Sequence, residues 1–187
     1  MKNKKDLEKI IKKRVINDNQ YQKALTITRE NSIGKVWLIG SLIYKTLANE
    51  LWGCELSPKD FDFIVESIKK PLFLPKEWRA ELNTHGNPKL SNGNIEIDLI
   101  SISNIHSIKE RGLSPNISNY LSGVPLSVHS IAYDVLKDKL IGDIGIKSLL
   151  NGEISINNES EYEHAKNIYG YRQFIERYAK ELGFRVV

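Results

Sequence analysis

The stretch that decides the fold runs Val36-Trp37-Leu38-Ile39-Gly40-Ser41 and closes, one helix later, on Lys59-Asp60-Phe61-Asp62-Phe63-Ile64-Val65. Val36–Ile39 is a short apolar run of the kind that makes a buried strand. It stops at Gly40-Ser41, where a helical pattern begins: Ile43, Leu47 and Leu51 are spaced by four, and Gly53 supplies a C-terminal stop. Phe61–Val65 is aromatic and β-branched and reads as a second strand. Side chains two apart on a strand share a face, with ~7 Å between their Cα atoms. Asp60 and Asp62 therefore project together while Phe61 and Phe63 turn into the core.

Two like charges side by side on a strand are unfavourable unless something neutralises them. A divalent cation does so, and hard carboxylate oxygens are the ligands magnesium prefers. Alone, an Asp-x-Asp at a strand edge more often caps the strand or faces water. A second strand, Ile95-Glu96-Ile97-Asp98-Leu99-Ile100, shifts the balance, because Glu96 and Asp98 again share a face. If the two strands are neighbours, three or four carboxylates converge, and a bound cation is the simplest account of that cluster. Gly40-Ser41 sits between a strand and a helix, where free backbone N–H groups and the helix dipole favour an anion. The glycine lets a phosphate chain approach the backbone, and the serine hydroxyl can donate to it.

Outward from this stretch, Leu7, Ile10, Ile11 and Val15 fall at helical spacing with lysines opposite, and a second helix runs from near Asp18 to Arg29. Residues 31–35 read as a loop and 71–77, with two prolines, as a connection. The pattern is β again from Trp78, and Asn92-Gly93 is a hairpin turn signal. Asn104–Glu110 reads as a short helix, and Ser114-Pro115 has N-cap and N1 chemistry for another toward Ser122-Gly123. Leu126–Tyr133 is expected to be a strand, with a turn near Lys137-Asp138, and Asp143–Leu150 a helix closed by Gly152. Glu153–Ile156 is a short strand and Ser160–Glu181 one long helix. The expected architecture is α+β, a mixed sheet with helices mainly on one face and helical N- and C-terminal segments. It is one domain over 1–187, with a core of about 32–157 and appended helices at 3–30 and 160–181.

The chain of 187 residues is 41% hydrophobic and 27% charged, enough for a packed core and unlike a disordered segment. A formal charge of +4, concentrated in Lys2–Arg14, suits a polyanionic partner. A single cysteine, Cys54, excludes an internal disulfide and a zinc cluster and fits a reducing cytoplasm. No apolar stretch approaches a membrane span and the N-terminus lacks a signal-peptide core, so a cytoplasmic protein without a membrane partner is expected.

Gly40-Ser41, Asp60-x-Asp62 and the carboxylate strand together resemble the DNA polymerase β nucleotidyltransferase superfamily. Within it the chain resembles the head domain of tRNA CCA-adding enzymes and bacterial poly(A) polymerases. LIGSLIYKTLANELWG followed by PKDFDFIV has the layout of that head's opening motif. THGNPKLSNGNIEIDLIS is similar to its next strand pair, and LSVHSIAYDVLKDKLIGDIGIKSLLNGEISIN to its closing segment, so the likeness covers about Val36–Asn157. Ser41 stands where the motif usually has a second glycine, Tyr44 with Lys45 beside it where an arginine is typical, and Val124-Pro125-Leu126 where CCA-adding enzymes carry Arg-Arg-Asp. The resemblance implies a polymerase β-like fold and a bare catalytic head, without the neck, body and tail domains that select bases and hold tRNA.

It further implies two Mg2+ ions, with Mn2+ as a substitute, held by Asp60 and Asp62 and joined by a third carboxylate. By resemblance that third ligand is Glu96; by strand pattern alone Asp98 is equally eligible. Gly40 and Ser41 would hold the phosphates of a nucleoside triphosphate, with Lys45 or Lys59 as charge partners. The expected reaction moves a nucleoside monophosphate from an NTP to a hydroxyl of an RNA acceptor, such as a tRNA 3′ end. Transfer to a protein or a small molecule such as an aminoglycoside is the second reading, and a catalytically idle nucleotide-binding head the third. Among the other residues, His85 reads as a solvated loop histidine and His129 as a core or edge one. His106 and His164 have no spacing that suggests metal. Aromatics among basic residues in the last helix could stack on bases, but packing against the domain is their commoner role.

Overall fold

The computed structural model describes residues 2–58, 60–83, 85–170 and 174–187. Helix α1 (Lys4–Ile16) opens on a capping box between Asn3 and Asp6, and α2 (Asn19–Glu30) on the side chain of Asp18. Strand β1 (Ser32–Ile39) leads through Gly40 into α3 (Ser41–Trp52), and β2 (Phe61–Ile68) follows. The chain then makes an edge hairpin, β3 (Arg79–Leu82) and β4 (Pro88–Ser91), before β5 (Glu96–Ser101). Two short helices, α4 (His106–Glu110) and α5 (Ile117–Leu121), precede β6 (Ala132–Asp134) and β7 (Lys139–Ile141). Helix α6 (Asp143–Asn151), β8 (Glu153–Ile154), α7 (Glu159–Tyr169), α8 (Phe174–Leu182) and β9 (Arg185–Val186) complete it.

The main sheet has the order β3-β4-β5-β2-β1-β6-β7, mixed because β2 and β5 run parallel while the other neighbours are antiparallel. Alternation along β2 divides its two faces. Phe61, Phe63 and Val65 enter the main core with α1, α2 and α3, whereas Ile64 joins a smaller cluster of Trp37, Ile39, Ile102, Ile108, Leu121 and Ala132. Asp62 lies two residues from Ile64, on the face of the smaller cluster. The helices thus fill one side of the sheet, as the sequence pattern predicts, and leave the carboxylate side thinly covered by α4 and α5.

Four expectations are corrected. Leu126–Tyr133 is not a continuous strand: it holds a bridge from Leu126 to Ile156, a 3-10 turn over Ser127–His129, and then β6. Serine hydroxyls compete with the ladder there. Ser127 Oγ donates to Ser148 Oγ at 3.2 Å and accepts from Ser155 N at 2.9 Å, and Ser130 Oγ donates to the Leu121 carbonyl at 3.0 Å. The helix expected from Ser114-Pro115 starts later, with Asn116 as its cap accepting from Asn119 N at 2.9 Å. The last helix is two, since Gly170, at φ +65°, ends α7 before α8 begins. The loop expected at 31–35 is instead the first half of β1, with an irregular register between Ile33 and Val36.

Candidate active site

β2 and β5 are neighbours, and their parallel register sets Asp62 directly beside Asp98. Oxygens of Asp60, Asp62 and Asp98 all lie within 4.8 Å of one another. Each of these aspartates is half-buried. Burial, then the neighbouring charges of Asp60 and Asp98, push the Asp62 carboxyl up to about 8. Burial and Asp98 raise Asp60 as well. A hard divalent cation would relieve this crowding of three carboxylates.

Glu96, two residues before Asp98, is outside this group. Its carboxylate is turned to Lys89, 2.8 Å away, and its side chain is 50% exposed. Lys89 escaped the sequence reading, yet it stands opposite Asp98 on β4. Counting residues back from the Asn92-Gly93 turn would have found it. Asn83, at the end of the edge hairpin, donates from Nδ2 to Asp98 Oδ1 at 3.3 Å. Its own Oδ1 accepts the amides of His85 and Asn87, each at 3.0 Å, so the loop fixes the Asn83 side chain. Asn87 Oδ1 in turn accepts from Asn104 Nδ2 at 2.9 Å, and Lys109 donates to Asn104 Oδ1.

The phosphate-cradle candidates sit at the same end of the sheet. Gly40, at φ +76° and ψ −154°, occupies a region essentially reserved for glycine. A Cβ built on it would come within 2.1 Å of Asp62 Oδ2. The Ser41 hydroxyl is buried with no hydrogen-bond partner among the described residues. It lies in the first turn of α3, where Ile43 N donates to the Gly40 carbonyl at 3.2 Å and the amides before it have no helical acceptor. An orphaned donor beside free helix-end amides fits an anionic oxygen group. Lys45 is not brought to this point; its ammonium is 2.7 Å from Glu181. Lys59 lies outside the described residues.

Gly40 yields a first prediction. Gly40→Ala should force Asp62 aside and strain the backbone, costing about 1–3 kcal/mol. A thermal melt checks it, and a melting temperature within 1 °C of wild type would contradict this packing.

A cleft of about 270 Å³ adjoins the acidic group between the open sheet face and α4, α5 and α7. Ile39, which precedes Gly40, and Asn83, which bonds Asp98, both line it, as does Tyr120. Burial, with Asp62 adding to it, holds the Tyr120 phenol well above its ordinary range. On the far wall the imidazoles of His106 and His164 stack at 4.3 Å between centroids and 2° between planes. Glu161 Oε1 lies 3.4 Å from His106 Nδ1. His85 also borders the cleft. His129 is not part of it: it packs between Tyr44 and Tyr178 at 5.4 and 4.8 Å, and burial pulls its imidazole down to about 4. Tyr162, Phe174 and Tyr178 likewise pack on one another rather than offering a stacking platform. The described residues contain no other group of three or more potential metal ligands of this closeness.

The sheet and its helices have the polymerase β-like nucleotidyltransferase fold, and nucleotidyltransferases are its structural neighbours. The Thermotoga maritima CCA-adding enzyme complexed with tRNA superposes with a TM-score of 0.66 over 97% of this chain and 42% of that one, at 18% identity. A CCA-adding enzyme with CTP gives 0.63 over 97% and 43%, at 17% identity. A tRNA nucleotidyltransferase complexed with a primer tRNA and an incoming ATP analog gives 0.58 over 82% and 43%, at 17% identity. The chain spans about two-fifths of the length of these structures. No protein-family model matches it, and no curated protein does. No helix among the described residues is long and apolar enough to cross a membrane.

Proposed function

We propose that this chain is a metal-dependent nucleotidyltransferase that transfers a nucleoside monophosphate from an NTP to a hydroxyl of an RNA acceptor. The observation that carries the reading is the convergence of Asp60, Asp62 and Asp98 beside Gly40 and the orphaned Ser41 hydroxyl. Asp60, Asp62 and Asp98 would hold magnesium, with Asp98 rather than Glu96 as the third carboxylate, since Glu96 is engaged by Lys89. When bound, the metal supplies Lewis-acid stabilisation of charge on the attacking and leaving oxygens.

The chain's own residues would do the rest. Ser41 Oγ and the first amides of α3 bind the terminal phosphates, and Gly40 lets the Asp62 carboxylate close against the strand-to-helix turn. The cleft beyond Ile39 receives the nucleoside. The acceptor oxygen forms a bond to the α-phosphorus as the bond to the bridging oxygen breaks, and pyrophosphate leaves with that electron pair. The proton of the acceptor hydroxyl passes to a carboxylate oxygen of Asp98 or to water.

Asn83 would act through Asp98, as a positioning residue. Groups that orient metal ligands typically contribute 10- to 100-fold to metal affinity. Asn83→Ala should therefore weaken Mn2+ binding about 10-fold in a calorimetric titration while leaving the fold intact. Unchanged affinity would remove it from the site.

Incubating the protein with Mg2+, each labelled ribonucleotide in turn and total RNA tests the whole reading. Label in RNA is the expected result, and no transfer with any of the four would overturn it. Label in a protein band or a small molecule instead would move the conclusion to the second acceptor class.

A further inference from the structure

Among the first fourteen residues, seven are basic and two acidic, so this segment carries the whole of the chain's positive excess. Part of that charge is already engaged: Lys4 faces Asp143, Lys12 is 2.6 Å from Asp138, and Lys2 donates to the Glu50 carbonyl. Lys9 and Lys13 are different. They lie one turn apart on the same face of α1, both exposed, and neither makes an ion pair among the described residues. Both border a groove of about 400 Å³ between α1 and α3, with Arg14 and Asn17 beside them and Glu50 as its one acid.

Arg14 also lines a second, narrow cavity of about 60 Å³, whose other walls include Leu42, Asp60 and Glu96. Arg14 thus borders both the basic groove and the edge of the acidic group. Its pairing with Asp18 at 2.9 Å leaves it further N–H donors. A polyanion drawn to Lys9 and Lys13 would follow the groove past Arg14 and arrive at the carboxylates, where a metal-free approach would be repelled.

We propose that the groove between α1 and α3 guides the acceptor strand, with Lys9, Lys13 and Arg14 binding the phosphates of a single-stranded RNA 3′ end. This rests on the transferase reading for its purpose, but the contact is a binding event that exists without chemistry. The occupant is nucleic acid rather than an acidic protein because Lys9, Lys13 and Arg14 offer separated point charges along the groove, suited to the repeating charges of a phosphate backbone.

The test is fluorescence anisotropy of a 5′-labelled 12-nucleotide single-stranded RNA, titrated with full-length protein in EDTA and without NTP. The charge-reversed variant is K9E/K13E; the control is K23E/K76E, which changes net charge equally at exposed positions elsewhere. K9E/K13E is expected to weaken binding at least 10-fold at low salt. It should also flatten the slope of log K against log salt by about 1.4, at ~0.7 per lost single-strand phosphate contact. The control should change the slope by much less. Equal losses in the two variants would reduce the effect to net charge and overturn the groove. Binding of poly-glutamate as tight as that of RNA would overturn the choice of partner. If wild type transfers nucleotide to RNA and K9E/K13E leaves both affinity and KM unchanged, the groove is wrong and the transferase reading stands. Loss of RNA binding in K9E/K13E supports the groove whether or not transfer is seen.

Discussion

Asp62→Asn should lower the proposed nucleotidyl transfer by at least about 10²–10³-fold and, in the same protein, raise the melting temperature of the metal-free form at pH 8. The first effect follows from charge: the amide matches the carboxylate in shape but cannot serve as an ionised oxygen ligand, and losses of this order attend removal of a transition-state electrostatic partner. The second follows from crowding. Asp62 is squeezed by Asp60 and Asp98 within 4.8 Å. Removing its charge relieves both neighbours, so the substitution that harms function most should help the empty fold. A steady-state assay and a thermal melt on one preparation check the pair. A variant that is inactive and also less stable than wild type without metal would show that Asp62 is a structural carboxylate. An active variant would remove it from the chemistry altogether.

Magnesium and pH should act on the melting temperature together. Folding raises the Asp62 carboxyl from an ordinary 3.8 to about 8. Between these values the folded state keeps a proton that the unfolded chain gives up, so this group's contribution to stability is complete at acid pH and is lost as pH rises toward 8. His129 has the opposite sign. Burial lowers it from 6.5 to about 4, so its contribution is complete above 6.5 and is lost as pH falls. The two oppose each other between about 4 and 6.5, which leaves pH 6.5 to 8 as the window where Asp62 acts without His129.

There the metal-free protein should lose ~1 kcal/mol after allowance for solvent in the open cleft, or about 3 °C in melting temperature. Saturating Mg2+ should reverse the trend, since ~100 times its dissociation constant adds about 2.7 kcal/mol. The shift caused by Mg2+ should therefore be larger at pH 8 than at pH 6.5. A shift that does not change with pH, or that persists in Asp62→Asn, would show that the ion binds elsewhere.

Much of this site was legible because its periods are short. A two-residue alternation is enough to put Asp60 and Asp62 on one face and Phe61 and Phe63 on the other, and the break from strand to helix marks Gly40 and Ser41. Glu96 and Asp98 could not be separated in this way, because both satisfy the same alternation. What separates them is the long-range register of β2 on β5, which sets Asp98 beside Asp62, and the cross-strand ammonium of Lys89, which engages Glu96. Lys45 illustrates the same limit: its helix position suits the phosphate end, but its partner Glu181 is 136 residues further along the chain. The stacked imidazoles of His106 and His164 belong to different helices with no shared spacing. The C-terminal break was readable, since Gly170 between two tyrosines is a stop signal that the helical run of apolar residues concealed.

The division of the sheet into a deeply rooted side and a thinly covered one has an evolutionary meaning. Phe63 and Val65 are anchored in the helical core, while Ile64 and the cleft lie on the other surface under a small cap of α4 and α5. Insertions or replacements in that cap can reshape the cleft without disturbing the packing that keeps the chain folded. The acidic group is fixed by strand register, whereas the cap that walls the cleft stands apart from that register.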